Sequence, residues 1–310
     1  MKRFVLRPRP DRRLGFVKAR YRSRAGVIES SWRYEKDGSL VWNYTVPEGA
    51  EAEVYLPGAA SALIRKAGRY EEKLFENSRE KIFPVGGITK VFTAALALSL
   101  VAEGKLDLDK PVRYYLGEEA QDVTVRQCLS CTAGFRRAHK VYPANALTVD
   151  EAYRLACREK AAYRPGTGFL YSPWGYCLAA KVIEKVEERP FAVSLSARIL
   201  KPYGLADTTF APDAAQLRRL DAKVYPWLKV PTSGNCPWSA ADCGLFSTEG
   251  DLRLFEKAIA EDPRMKALFE KQTPEGVDRS FSFGLNLLPT GEAFFKSATG
   301  VVLRVKPKEK

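Results

Sequence analysis

The stretch Val91-Phe92-Thr93-Ala94-Ala95-Leu96-Ala97-Leu98-Ser99-Leu100-Val101-Ala102 contains no charged residue. Wound as a helix, it is apolar on nearly every face, so other elements must surround it. It is shorter than the roughly 20 residues that span a bilayer, so it reads as a buried core helix and not as a membrane segment. The pattern predicts the helix over Ile88 to Glu103, with Gly104 as its cap. Such a helix needs a chain long enough to enclose it. With 310 residues, 45% of them hydrophobic, this one can build one large core, or a main domain with a small appendage.

The surrounding elements read as helices in the middle and strands at both ends. Thr124 is the predicted N-cap of a helix over Arg126 to Cys131. Thr148 and Glu151 form a capping-box pattern for a helix from Thr148 to Glu159. Further helices are expected over Pro173 to Val186, Ala192 to Leu200 and Thr248 to Ile259, the last with Asp251 near its positive end. Strands are expected at Phe281 to Leu288, Ala293 to Lys296 and Val301 to Val305. At the start, Gly26 to Tyr34 and Leu40 to Val46 flank Lys36-Asp37-Gly38, a hairpin signal. Ala52 to Leu56 reads as a third strand, and Ser61 to Lys66 as a fourth. The class is α+β: an antiparallel sheet built from both termini, a helical cluster, and an N-terminal hairpin extension. The expected division is a β-rich, partly sandwich-like segment at 1–58 and a main domain at 59–310.

The formal net charge is +13, from 50 basic and 37 acidic residues. Much of the excess lies at the ends, in Lys2, Arg3, Arg7, Arg9, Arg12, Arg13 and in Arg304, Lys306, Lys308, Lys310. No aromatic-interleaved basic motif accompanies it, so nucleic-acid binding is disfavoured. Solvated ends or affinity for an acidic surface remain. The first residues lack the apolar run of a signal peptide, which favours a cytoplasmic location. Six cysteines, at 128, 131, 157, 177, 236 and 243, are most simply read as thiols in such a chain. Cys128 and Cys131 have CxxC spacing, but no metal site and no cofactor is expected. His139, the sole histidine, sits in a polar, basic stretch and reads as a surface residue.

Five segments carry a resemblance. They are Phe83-Pro84-Val85-Gly86-Gly87-Ile88-Thr89-Lys90, Thr124 to Phe135, Pro165-Gly166-Thr167-Gly168-Phe169-Leu170-Tyr171-Ser172-Pro173, Leu200 to Phe210, and Ala241-Asp242-Cys243-Gly244-Leu245-Phe246-Ser247-Thr248. In order and spacing they resemble the beta-lactamase-related serine hydrolases and penicillin-binding proteins, a group with class C enzymes, esterases and D-aminopeptidases. Residues 1–58 resemble, more briefly, part of the C-terminal β-sandwich of bacterial alpha-L-rhamnosidases. The match to the hydrolase family runs from about residue 60 to the end. It implies a domain shortened at its C-terminus, where a further strand and helix are usual. The surplus N-terminal strands at 26–34 and 40–46 are expected to cover the edge so exposed.

The family's chemistry is acyl transfer through a serine ester, which needs a hydroxyl nucleophile, a base and an oxyanion hole. The resemblance puts Gly87 at the serine position, one helical turn before Lys90. It puts Tyr171 at the position of the proton-relaying tyrosine and Pro173 at a position usually held by asparagine. The third motif aligns as Lys296-Ser297-Ala298 or as Ala298-Thr299-Gly300. The expected cleft residues are Lys90, Tyr171, Ser172, Trp174, Lys296 and Ser297, with Trp238 a further candidate. Because Gly87 and Pro173 lack functional groups, the leading expectation is a non-catalytic module. It would bind a peptide, a cell-wall-like fragment, a small carboxylate or a protein, or serve as a scaffold. The alternatives are a serine-type hydrolase with Gly87 as an engineered or unusual replacement, and a carbohydrate-associated module.

Overall fold

The apolar run folds as predicted. In this computed structural model, helix α1 spans Thr89–Ala102 and follows a 3-10 turn at Gly86–Ile88. Every residue of α1 from Thr89 to Leu100 is buried. Gly104 ends it in a left-handed conformation, φ 69°, as the cap position requires. The structure describes residues 2–10, 14–35, 39–57, 62–74, 80–136, 148–217, 219–221 and 241–307. His139, Cys236, Trp238 and the Lys36–Gly38 turn lie outside these residues.

The chain divides into two compact units, Met1–Glu80 and Lys81–Lys310. Among its described residues the first is built of strands: β1 (Lys2–Leu6), β2 (Phe16–Ser23), β3 (Gly26–Tyr34), β4 (Leu40–Val46), β5 (Ala50–Val54), β6 (Leu63–Arg65) and β7 (Gly68–Leu74). One antiparallel sheet runs β2-β3-β4-β7, and a second runs β1-β5-β6 with β1 parallel to β5. Trp32, Trp42, Tyr44 and Val46 from the first sheet meet Ala50, Ala52 and Val54 from the second in one core. Trp42 donates its indole N–H to Ser30 Oγ at 2.9 Å, so this buried ring leaves no unpaired donor.

The expected covering of the C-terminal sheet by the early strands is corrected. β3 and β4 pair with β2 and β7 instead. The reason lies in β7: its alternating residues Gly68 to Leu74 supply β4 with a full partner from Val46 to Leu40.

The second unit is α+β, with antiparallel strands and a helical cluster, as the sequence predicts. Its strands are β8 (Phe83–Pro84), β9 (Phe246–Ser247), β10 (Asn286–Leu287), β11 (Ala293–Lys296) and β12 (Val302–Val305). Its other helices are α2 (Val112–Leu116), α3 (Val125–Leu129), α4 (Val149–Arg158), α5 (Trp174–Glu187), α6 (Phe191–Leu195), α7 (Ala214–Leu217) and α8 (Glu249–Glu261). The predicted N-caps Thr124 and Thr148 are in place. Thr124 closes a capping box with Gln127, and Thr148 closes one with Glu151. Thr248 accepts a hydrogen bond from the Asp251 backbone.

Two expectations need correction. The Phe281–Leu288 strand shrinks to Asn286–Leu287, because Ser282 N–H bonds to Leu285 O across a turn in which Gly284 has φ 89°. The helix expected to Leu200 changes register after Leu195 and ends as a π-helical turn, Ser196–Leu200.

Candidate active site

The site is organised around the first turn of α1. Lys90 is buried, with a relative exposure of 1%. Its Nζ donates to Asp242 O at 3.2 Å and lies 3.5 Å from Asp242 Oδ2. It also sits 4.8 Å from the ring centre of Tyr171 and 5.5 Å from that of Tyr176. An unpaired ammonium at such depth would cost several kcal/mol, so this set of partners is what keeps the charge inside. Burial works against protonation of Lys90. Tyr171, Cys243 and Asp242 outweigh it and hold the lysine pKa well above its ordinary value. Burial pushes the Tyr171 hydroxyl above the usual phenol range, more than Lys90 pulls it down. Both groups therefore hold their protons at neutral pH.

The same turn is stitched to the 241–245 segment. Thr93 Oγ1 donates to Ala241 O at 2.6 Å, and Leu245 N–H donates to Thr89 Oγ1 at 3.2 Å. These two threonines flank Lys90 and fix Asp242 beside it. Thr89 therefore has a structural partner and does not substitute for a nucleophile.

Two glycines precede Lys90, and the space beside each is occupied. A Cβ on Gly87 would fall 2.8 Å from Tyr171 Oη and 2.8 Å from the Phe295 ring. A Cβ on Gly86 would fall 2.5 Å from Ser297 Oγ and from Thr299 Cγ2. Gly86 also has φ 54°, where a side chain is strained. Strand β11 and the turn after it thus come against the start of α1 at the closest range glycine permits. Tyr171 and Phe295 stack there, with ring centres 5.9 Å apart.

The remaining sequence candidates fall in distinct places. Ser297 is buried and opens a tight turn in which Gly300 N–H bonds to its carbonyl. Lys296 is exposed at the end of β11. Ser172 Oγ donates to Arg136 O at 3.0 Å, and Trp174 is 1% exposed within the core. Pro173 is the N-cap of α5. Ser130 is fully buried and bonded to Arg126 O and Thr132 Oγ1. The five described cysteines are not in disulfides. Burial pushes Cys131 up to about 11 and Cys128 higher still, so the CxxC pair holds its protons and is a poor nucleophile. Among the described residues there is no group of three or more potential metal ligands.

Sequence reasoning missed Asp242 and Phe295. Asp242 was visible only as an acid in a segment where the related pattern has small residues. Phe295 was visible only as an apolar strand residue.

Comparison with known proteins gives the site its context. The family described as Beta-lactamase matches residues 48–309, and the bacterial alpha-L-rhamnosidase C-terminal domain matches residues 1–71. A protein named for fimbrial assembly, FimD of serogroup D from Dichelobacter nodosus, is 35% identical over 48% of this chain and 40% of its own length. A D-aminopeptidase from Brucella canis is 25% identical over 80% of this chain and 51% of its own. The chain thus spans about half the length of such relatives, or less. Among solved structures, the D-amino acid amidase of Ochrobactrum anthropi is 20% identical, covers 81% of this chain and 84% of its own, and superposes with a TM-score of 0.57. That likeness shows the fold. These relatives overturn the expectation of a non-catalytic binding or scaffold module, because the D-aminopeptidase that aligns with most of the chain is named as an enzyme. Among the described residues, no helix is long and apolar enough to cross a membrane.

Proposed function

Because the chain belongs to the beta-lactamase family, we propose that it is a serine-hydrolase-type enzyme of the acyl-transfer class, with Gly87 an unusual replacement of the nucleophile serine. Its substrate in this reading is an amide of a D-amino acid, as the name of the D-aminopeptidase relative suggests. The observation that carries the proposal is the Lys90–Tyr171 pair, held together beside residue 87 at the start of α1.

Glycine supplies no hydroxyl, so the attacking oxygen is that of water. Tyr171 Oη, close to the residue 87 position, takes the water proton in the small fraction of molecules in which it is ionised. The departing amine takes a proton back from the same pair. Lys90, 4.8 Å from the Tyr171 ring centre, stabilises the ionised tyrosine that this step requires. Serine hydrolases stripped of the nucleophile retain about 10³-fold to 10⁴-fold catalysis over water, and that is the scale expected here.

Release of p-nitroaniline from D-alanine p-nitroanilide tests the reading. Turnover is expected to be slow and to climb without a plateau from about pH 7 to about pH 10, because both pKa values lie above that range and the ionised fraction of Tyr171 keeps growing with pH. Tyr171→Phe should abolish it while circular dichroism stays unchanged. A fluorophosphonate reporter should leave residue 87 unlabelled. A natural-sequence chain that releases no product at any pH overturns the proposal.

A further inference from the structure

The N-terminal unit carries a surface that the hydrolase reading does not use. Strand β2 lies at the edge of the β2-β3-β4-β7 sheet. All eight of its residues pair with β3, from Phe16↔Arg33 to Ser23↔Gly26, without a bulge. Among the described residues its other side carries no ladder, so a full row of backbone donors and acceptors faces outward.

The side chains on this edge follow a pattern. Phe16, Lys18, Arg20 and Arg22 point to one face by strand alternation, and Val17, Ala19 and Tyr21 to the other. Every residue from Lys18 to Arg22 is exposed, and Phe16 and Tyr21 are 64% and 68% exposed. Same-face residues of a strand are about 7 Å apart. The three cations therefore repeat at the spacing of alternate residues in any strand laid beside them. A chain with Asp or Glu at alternate positions would set the Cβ of each acid about 5 Å from that of a cationic residue, within ion-pair reach of the long Lys and Arg side chains. Arg20 already pairs with Glu29 at 3.4 Å, but both side chains are more than half exposed, so the pair is weak and open to competition. Within β2 itself there are three basic residues and no acidic one, so the strand's own charge favours an acidic segment.

Charges on an edge strand also serve to repel unwanted pairing. Exposed aromatic side chains act in the opposite sense, and this edge has two of them. We propose that the open edge of β2 is a docking strand for an extended acidic peptide, which adds to the sheet through its main chain and sets alternate carboxylates against Lys18, Arg20 and Arg22. Affinity comes from the main-chain ladder, and selection from the cation row.

Fluorescence anisotropy of the full chain with a labelled eight-residue peptide of alternating Glu and Val tests this. Saturable binding is expected, weaker at about 200 mM than at about 50 mM salt. The double variant Lys18→Glu/Arg22→Glu should weaken it by about tenfold or more, and should gain binding to the matching Lys-Val peptide. Both positions are exposed, so circular dichroism should show the fold retained. Methylating alternate backbone nitrogens of the Glu-Val peptide should abolish binding by removing ladder donors. Equal binding of the methylated peptide would reduce the contact to charge alone and overturn the proposal. Tighter binding of an oligothymidine at the same salt would assign the edge to nucleic acid. Failure of the Glu-Val peptide to bind would leave the cations as guards against pairing. These readouts do not involve hydrolysis, so the proposal stands or falls apart from the catalytic one.

Discussion

Lys90 and the cations of β2 carry the same charge in opposite surroundings. Lys90 is enclosed by Asp242, Tyr171 and Tyr176, while Lys18, Arg20 and Arg22 extend into water. The enclosed charge is committed. Every group near it is already engaged in keeping it inside, so changing any one of them disturbs the rest. The exposed charges are uncommitted. Each is individually dispensable for folding, and their spacing is the only thing that makes them act together.

This contrast can be broken most forcefully at Asp242. Asp242→Ala removes the carboxylate beside a buried ammonium and should cost about 3–5 kcal/mol, read as a lower urea midpoint. The double variant Asp242→Ala/Lys90→Met should recover much of that loss, since no charge is left stranded. The contribution of Lys90 has a defined pH range. Its folded pKa lies above its unfolded value of 10.5, so its stabilisation is complete below pH 10.5 and is lost as pH rises through the folded value. Urea midpoints should therefore show no inflection from Lys90 through the neutral range.

Gly87→Ser is expected to have the next largest effect. The added atoms force Tyr171 and Phe295 apart, at about 1–3 kcal/mol, measured by thermal unfolding. Unchanged stability would mean that the two rings yield more easily than their stacking suggests. Arg20→Ala should have the smallest effect. It removes one exposed ion pair with Glu29, and the change should stay within about 1 kcal/mol. A larger loss would show that the β2 cations are structural after all.

Local signals made much of the fold legible. The Thr124 cap and the Thr148–Glu151 box act within one turn, and the structure has both. The 91–102 run needed only its composition to identify a buried helix. The failures have a common cause. β7 pairs with β4 across 22 residues or more, and no local pattern announces that ladder. The strand at 281–288 was lost to a turn at Gly284 within an otherwise strand-like run. In the site, Lys90 and Tyr171 were legible because both sit in recognisable motifs. Asp242 and Phe295 were not, because their roles depend on contacts made across 152 and 208 residues of chain. The glycine at position 87 was legible as well, but it suggested an absence of catalysis that the relatives do not support.

The glycine pair also bears on how this sequence can change. With Phe295 and Tyr171 filling the space at position 87, and Ser297 and Thr299 filling it at 86, a side chain introduced at either position meets atoms already there. A serine at 87 costs less once residue 295 grows smaller, while a smaller residue at 295 opens a void as long as glycine remains. Each step is costly alone and cheaper with the other. A route to a hydroxyl at this position therefore passes through a less stable intermediate, and the order in which substitutions arrive decides how far stability falls on the way.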